Sequence, residues 1–264
     1  MVRTFAMLSV NRLAGLALMV GLLIFGFTTD PIRDAISNGA GDTEILIVDL
    51  TKKLPSNPYQ EEYEQMLWPT VRIKTPFSTG SGVIFTAKNA KDAQNIYILS
   101  AAHVVGDNSE VTVEIFTAKS AENAEIEATV LITDTNKDLA LLATNTHELT
   151  RIYSARLAPS DYKYYLFTPV WTVGCSLGLN PRPSFGHFTS CSFVSIRGYE
   201  ISAPILPGNS GGPVFDANTY EVIGIAIWVQ TYQGQLITTM AGVVPITEIY
   251  EFLNSHRGTE DTEK

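Results

Sequence analysis

The stretch Pro207-Gly208-Asn209-Ser210-Gly211-Gly212-Pro213-Val214-Phe215 constrains this chain more than any other. Glycines beside a serine let the backbone turn tightly and let another molecule approach closely. They also leave N–H groups free to face a developing negative charge, often the largest single contribution to acyl-transfer catalysis. Gly, Asn and Ser are equally the ordinary residues of a turn. The motif alone leaves both readings open, and its companions upstream narrow them.

Ile98-Leu99-Ser100-Ala101-Ala102-His103-Val104-Val105 places a histidine at the end of an apolar run, and Lys137-Asp138-Leu139-Ala140-Leu141-Leu142 places an aspartate at the head of another. The loose G-x-S-x-G pattern also fits the α/β-hydrolase elbow, but those enzymes run Ser, Asp/Glu, His. Here the order is His, Asp, Ser, as in chymotrypsin-type enzymes. With these residues in hand, the chain resembles the trypsin-like serine peptidases, nearest to their bacterial Deg-type and glutamyl-endopeptidase-like branches. Gly80-Ser81-Gly82-Val83-Ile84-Phe85 and Glu221-Val222-Ile223-Gly224-Ile225 also match those branches in order. The resemblance covers roughly residues 68–255.

That resemblance implies a serine endopeptidase acting through an acyl-enzyme on protein or peptide substrates. Ser210 is then the nucleophile, His103 the general base and acid, and Asp138 the group that fixes the imidazole tautomer. The N–H groups of Gly208 and Ser210, with Asn209 between them, are the expected oxyanion hole. Rivals exist for two roles. His147 falls in a polar run, His187 in an expected strand, and His256 at the end of an expected helix. None has the setting of His103. Asp134 lies in the turn-like Thr133-Asp134-Thr135-Asn136, where a carboxylate normally caps the backbone. The same resemblance builds the specificity pocket from Pro204, Ile205 and Leu206 and from Ala226, Ile227 and Trp228. No charge occupies these positions, so preference for small or medium aliphatic side chains is expected. A basic or acidic side chain there would be buried unpaired.

Net charge is −9, and no basic patch is available for phosphates, which argues against nucleic acid as a partner. Four scattered histidines and two cysteines give no metal-ligand spacing, and no cofactor is expected. Cys175 and Cys191 fall in expected neighbouring strands; a disulfide and two buried thiols both remain open.

Residues 13–27 form an uninterrupted apolar run, preceded by Arg3 and Arg12 and followed by Asp30. That charge order keeps the N-terminus cytoplasmic and sends the C-terminal remainder across a membrane. An uncleaved signal anchor, a cleaved signal peptide and a buried helix are the alternatives, and the first two place that remainder outside the cytoplasm. The layout is therefore a stub with its apolar helix (1–29), a stalk with a short helix (30–67), a peptidase domain (68–255) and a charged tail expected to be disordered (256–264). The domain is expected to be all-β: two six-stranded antiparallel barrels of chymotrypsin type, about 68–145 and 164–245, closed by a helix at 246–255. Strands are read at 71–74, 82–86, 95–100, 111–116, 126–132 and 139–143, then 167–174, 185–194, 198–202, 213–215, 222–229 and 236–244. Residues 146–163 are the crossing between barrels.

The family pattern is not fully met. No Ile-Val-Gly-Gly-like sequence offers a new N-terminus, and Asn209 stands where zymogens of this type carry an aspartate. Activation by N-terminal trimming is not expected. Only a short tail follows residue 244, so no C-terminal peptide-binding domain of the Deg type is expected. A protease-fold binding protein that does not cleave, and an esterase on the same residues, stay open as alternatives. The oligomeric state is not legible.

Overall fold

The computed structural model describes residues 5–8, 46–49, 57–85, 95–116, 123–145, 152–191 and 199–255. The apolar run 13–27, His147, His256 and the tail lie outside the described residues. Two units are distinguished, Met1–Pro58 and Tyr59–Lys264. In the first, β1 (Phe5–Leu8) pairs antiparallel with β2 (Leu46–Asp49), Phe5 opposite Asp49 and Leu8 opposite Leu46.

The second unit opens with α1 (Gln60–Glu62), which runs into a π-helical turn, Tyr63–Leu67. Six strands come next: β3 (Thr70–Lys74), β4 (Thr79–Phe85), β5 (Asn95–Ser100), β6 (Glu110–Ile115), β7 (Ala124–Asp134) and β8 (Leu139–Asn145). They close into an antiparallel barrel in the order β3-β4-β5-β8-β7-β6. A single helical turn, α2 (Ala102–Val105), follows β5. The second barrel comprises β9 (Pro169–Gly174), β10 (Arg182–Cys191), β11 (Tyr199–Ile201), β12 (Pro213–Asp216), β13 (Val222–Tyr232) and β14 (Gln235–Pro245). It closes in the order β10-β11-β14-β13-β12-β9, and α3 (Ile246–Ser255) ends the described chain.

Alternation along the strands divides the core. Successive side chains of a strand face opposite ways. In β4, β5 and β8, Ile84, Ile98, Ala140 and Leu142 fill the first barrel with Val71, Ile73 and Val113. Their neighbours Val83, Phe85, Leu99, Leu139 and Leu141 face outward and join the core of the second barrel, with Phe188, Phe215, Ile223 and Phe252. Both faces of these strands are thus apolar, which is why they read as continuous hydrophobic runs. The connecting segment is stitched to both barrels by parallel bridges, Phe85 to Ala155 and Leu157 to Val222. Ala155 N–H donates to Ile84 at 2.8 Å, and Ala158 N–H to Val222 at 2.9 Å.

Several strand ends differ from expectation, and those of β10, β13 and β14 show why. β10 starts at Arg182 because residues 182–185 pair with Gly174–Trp171 despite Pro183. β13 and β14 extend to a tight hairpin, Tyr232 opposite Gln235, whose two central residues Gln233 and Gly234 take φ of 50° and 77°. Positive φ at both positions gives the turn whose twist matches its strands. The polar sequence there reads as loop because its pairing partner, not its composition, makes it a strand.

The disulfide alternative is corrected: Cys175 and Cys191 are free thiols. Cys175 follows Gly174, which lies opposite Arg182, whereas Cys191 ends the same strand nine residues further on. At about 3.3 Å per residue the two sulfurs are separated by roughly 25–30 Å of strand, far beyond the ~7 Å limit between Cα atoms for a bridge. Burial pushes the Cys175 thiol up to about 12 and also raises that of Cys191. Alkylation of the denatured, unreduced chain is expected to add two labels; mass spectrometry finding none would establish a disulfide. In the native chain at neutral pH, Cys175 should resist alkylation.

Candidate active site

Ser100 ends β5, and the chain turns at once into α2, presenting His103 at its start. Across the barrel, β7 gives way to the turn Thr135–Asp138 before β8. Asp134 caps this turn, its Oδ1 accepting the N–H groups of Asn136 at 2.9 Å and Lys137 at 3.0 Å. Asp138 adopts φ 55°, an unusual state that Asp tolerates better than most residues. Its carboxylate then meets His103 twice: Oδ1 accepts the backbone N–H at 2.9 Å, and Oδ2 lies 2.7 Å from Nδ1. A carboxylate can only accept, so Nδ1 carries the proton and Nε2 of a neutral ring is left as an acceptor. The His103 side chain is about half exposed.

Ser210 sits in the loop before β12, held from the first barrel. Ser81 on β4 donates its N–H to the Ser210 carbonyl at 2.8 Å. Its hydroxyl donates to the Gly208 carbonyl at 2.6 Å and accepts the Cys175 N–H at 2.8 Å. Ser100 Oγ in turn donates to the Ser81 carbonyl at 2.8 Å. Two glycines are required by this fit. A Cβ on Gly208 (φ 96°) would run into the Cys175 carbonyl oxygen, and one on Gly211 (φ 82°) into that of Ser81.

The peptide planes of the loop are fixed by their carbonyls. The Pro207 carbonyl accepts the Leu177 N–H at 2.7 Å, and the Asn209 carbonyl accepts the Gly212 N–H at 2.9 Å. In a planar trans peptide, N–H points opposite to C=O, so the Gly208 and Ser210 N–H groups face the other way. Among the described residues neither has a hydrogen-bond partner. Asn209 differs: its N–H donates to Leu206 at 3.0 Å, and its buried side-chain Oδ1 accepts the Ser176 hydroxyl at 2.5 Å. The Ser210 hydroxyl lies 3.5 Å from the Ile227 carbonyl, and no hydrogen bond joins it to His103.

The pocket residues named from sequence divide. Pro204 and Leu206 are exposed, and Ile227 and Trp228 are half-buried. Ile205 and Ala226 are buried in the core. Ala226 is also spent on the Ser210 loop, exchanging hydrogen bonds with Gly211 and Gly212 at 2.8 and 2.9 Å. Sequence reasoning does not single out Ser81 or Leu177 as supports of this loop. Of these, only Ser81 carries a signal, its place in Gly-Ser-Gly. His187 is exposed on β10, edge-on to Phe185. Among the described residues no group of three or more His, Cys, Asp or Glu could hold a metal ion.

The sequence model described as the trypsin-like peptidase domain matches residues 80–225. The chain belongs to that family. Relatives of this trypsin-like peptidase domain include a probable periplasmic serine endoprotease DegP-like of Pseudomonas fulva (strain 12-X), 31% identical over 168 residues, which cover 60% of this chain and 30% of that protein. Another is the serine protease Do-like HtrA of Bacillus subtilis (strain 168), 28% identical over 162 residues, covering 57% and 33% respectively. The chain thus spans about a third of the length of these relatives. In fold it is similar to the HtrA-type protease AlgW with tripeptide, at a TM-score of 0.61, 21% identity, and coverage of 75% of this chain and 63% of that one. The serine endoprotease from Yersinia pestis matches at 0.58 and 18% identity, with 77% and 67% covered.

Ser81→Ala removes one buried donor and one buried acceptor, each worth about 1–3 kcal/mol when its partner is left unsatisfied. The expected result is a lower urea midpoint with an unchanged slope. An unaltered midpoint would remove Ser81 from the support of this loop.

Proposed function

We propose that this domain is a serine endopeptidase whose triad is His103, Asp138 and Ser210. The observation that carries the reading is the two-point His103–Asp138 contact, which leaves Nε2 as the proton acceptor. The reading requires Ser210 to turn about χ1, a move between ordinary rotamers, carrying its hydroxyl from Ile227 toward His103. Nε2 takes the hydroxyl proton as Oγ bonds to the substrate carbonyl carbon. The carbonyl oxygen, now negative, accepts from the Gly208 and Ser210 N–H groups, the two that the loop leaves unpaired. Collapse breaks the C–N bond, and His103 returns the proton to the departing amine. Water, activated in the same way, then releases the acyl group from Ser210. Loss of one oxyanion donor typically costs about 3 kcal/mol of barrier. Asn209 fills the oxyanion-hole position without donating its own N–H, which is already committed to Leu206.

The pocket offers Pro204, Leu206, Ile227 and Trp228 as lining, backed by Ile205 and Ala226 from the core. None carries a charge, which supports cleavage after Val, Ala, Ile or Leu. The substrates are proteins or peptides, and no cofactor takes part. Fit of a single methylene is worth only about 1–3 kcal/mol, so the preference is broad. Profiling of the wild type against a peptide library should return these residues before the cleaved bond, and Ser210→Ala should cleave nothing and take no fluorophosphonate label while remaining folded. A dominant Arg, Lys or Glu would overturn the pocket, and undiminished cleavage by the variant would overturn the mechanism.

The periplasmic relatives and the charge order around residues 13–27 support an extracytoplasmic domain. No helix among the described residues is long and apolar enough to cross a membrane, and 13–27 lies outside them. An inserted 13–27 separates residues 5–8 from 46–49 by a bilayer, so insertion and the β1–β2 pairing exclude each other. The anchored form is expected to stay with membranes through a carbonate wash. A soluble product beginning after residue 28 would show a cleaved signal peptide instead.

A further inference from the structure

Arg72 and Ser81 are directly opposite one another on β3 and β4. Opposed residues of an antiparallel pair put their side chains on the same face. Both side chains reach the turn Cys175–Gly178 of the second barrel, but at its two ends. Ser81 Oγ takes the N–H of Cys175 at the start, at 2.8 Å. Arg72 Nη1 donates to the carbonyl of Gly178 at the finish. Between them, Leu177 is held at φ 56° with its side chain in solvent, so its own side chain does not fix the turn. Its N–H is the group that holds the Pro207 carbonyl at 2.7 Å and thereby turns the Gly208 N–H outward.

The guanidinium is itself held firmly. Nε donates to Glu114 Oε2 at 2.8 Å, and Nη2 reaches the same oxygen. Phe116 lies under it, 5.6 Å from ring centre to Cζ. The side chains of Arg72 and Glu114 are only 11% and 6% exposed. Glu114 is further fixed by Lys74 Nζ at 3.0 Å and by Asn123 Nδ2 at 2.5 Å. Burial raises the pKa of this carboxyl, but the hydrogen bonds from Arg72, Lys74 and Asn123 outweigh it and the net shift is downward. Glu114 is therefore charged at neutral pH. A lysine at position 72 would reach Glu114 or Gly178 but could not fork between them.

We infer that Arg72 is a positioning residue for the oxyanion hole, acting from the first barrel through Gly178, Leu177 and Pro207 on the Gly208 N–H. The inference rests on the proposed role of that N–H in catalysis. Arg72 touches no reacting atom. Its loss leaves the turn tied to the first barrel only at the Cys175 end, loosens the Leu177 N–H, and lets the Pro207–Gly208 peptide rotate. Substrate binding does not depend on this peptide; stabilisation of the negative oxygen does.

The test compares the full chain with Arg72→Met, Arg72→Lys and Glu114→Gln. Amide hydrogen exchange at Leu177 should speed up at least about tenfold in Arg72→Met while exchange in β4, β5 and β13 stays unchanged. Misplacement by an ångström can cost about 100-fold in rate, so kcat on a fluorogenic peptide, and the rate constant for fluorophosphonate labelling, should fall about 10- to 100-fold. KM should stay within about twofold. Arg72→Lys should recover part of the rate, and Glu114→Gln should lose less than Arg72→Met in the same direction. If Arg72→Met does not fold, the Glu114→Gln and Arg72→Lys exchange and labelling results decide in the same way. Unchanged Leu177 exchange in the folded variants overturns the inference. So does a labelling loss that merely tracks the unfolded fraction. A wild type that takes no label defeats the proposed catalytic reading instead, and the exchange measurement still decides the role of Arg72.

Discussion

A single hydroxyl, that of Ser81, couples the two barrels where their chemistry must meet. It donates to the carbonyl of Gly208 and accepts from the amide of Cys175, while the amide of its own residue holds the carbonyl of Ser210. A hydroxyl can do both at once because it carries one proton and two lone pairs. In this buried setting the bonds are strengthened by low dielectric, and each would be costly to leave unmade. The loop bearing Ser210 is consequently not a property of the second barrel alone. Its backbone takes its shape from β4, and the glycines at 208 and 211 are the residues that let β4 and the Cys175 turn come close enough.

Arg72 and Glu114 add an ionic element at the same seam. Burying such a pair gains little stability compared with apolar side chains of similar size, because the desolvation of both ions offsets most of their attraction. What an arginine offers and a leucine does not is a directed donor aimed at a carbonyl. The Gly178 carbonyl ends a turn whose middle residue has an unfavourable backbone conformation, for which a typical cost is about 1–3 kcal/mol. A state of that kind persists only when surrounding contacts over-determine it. Ser81, Arg72, Ser176 and Pro207 are those contacts.

Much of this is legible in the sequence, and the part that is not has a common cause. The two barrels are readable because apolar runs of strand length alternate with Gly, Asn and Asp turns. Asp138 can be told from Asp134 because an apolar run follows it, and in the structure Asp134 does cap its turn while Asp138 faces His103. The supports of the Ser210 loop are different. Ser81 meets Gly208 across 127 residues and Cys175 across 94, and Arg72 meets Gly178 across 106. No local pattern encodes contacts at such separations. The cysteines illustrate the same limit: neighbouring strands are readable, but which ends of them adjoin is not. The hairpin at Gln233-Gly234 and the burial of Ala226 were set by pairing partners rather than by their own composition.

The stitching of residues 155–158 to both barrels has a consequence for how the protein is made. A ribosome delivers the first barrel, with Ser81 and Arg72, well before the second, and domains generally form in that order. The amide of Gly211 is tied to Ala226, and that of Ile205 to Thr238, so the loop at Ser210 cannot close until nearly the whole second barrel has emerged. The serine therefore stays without its shaped surroundings through most of translation.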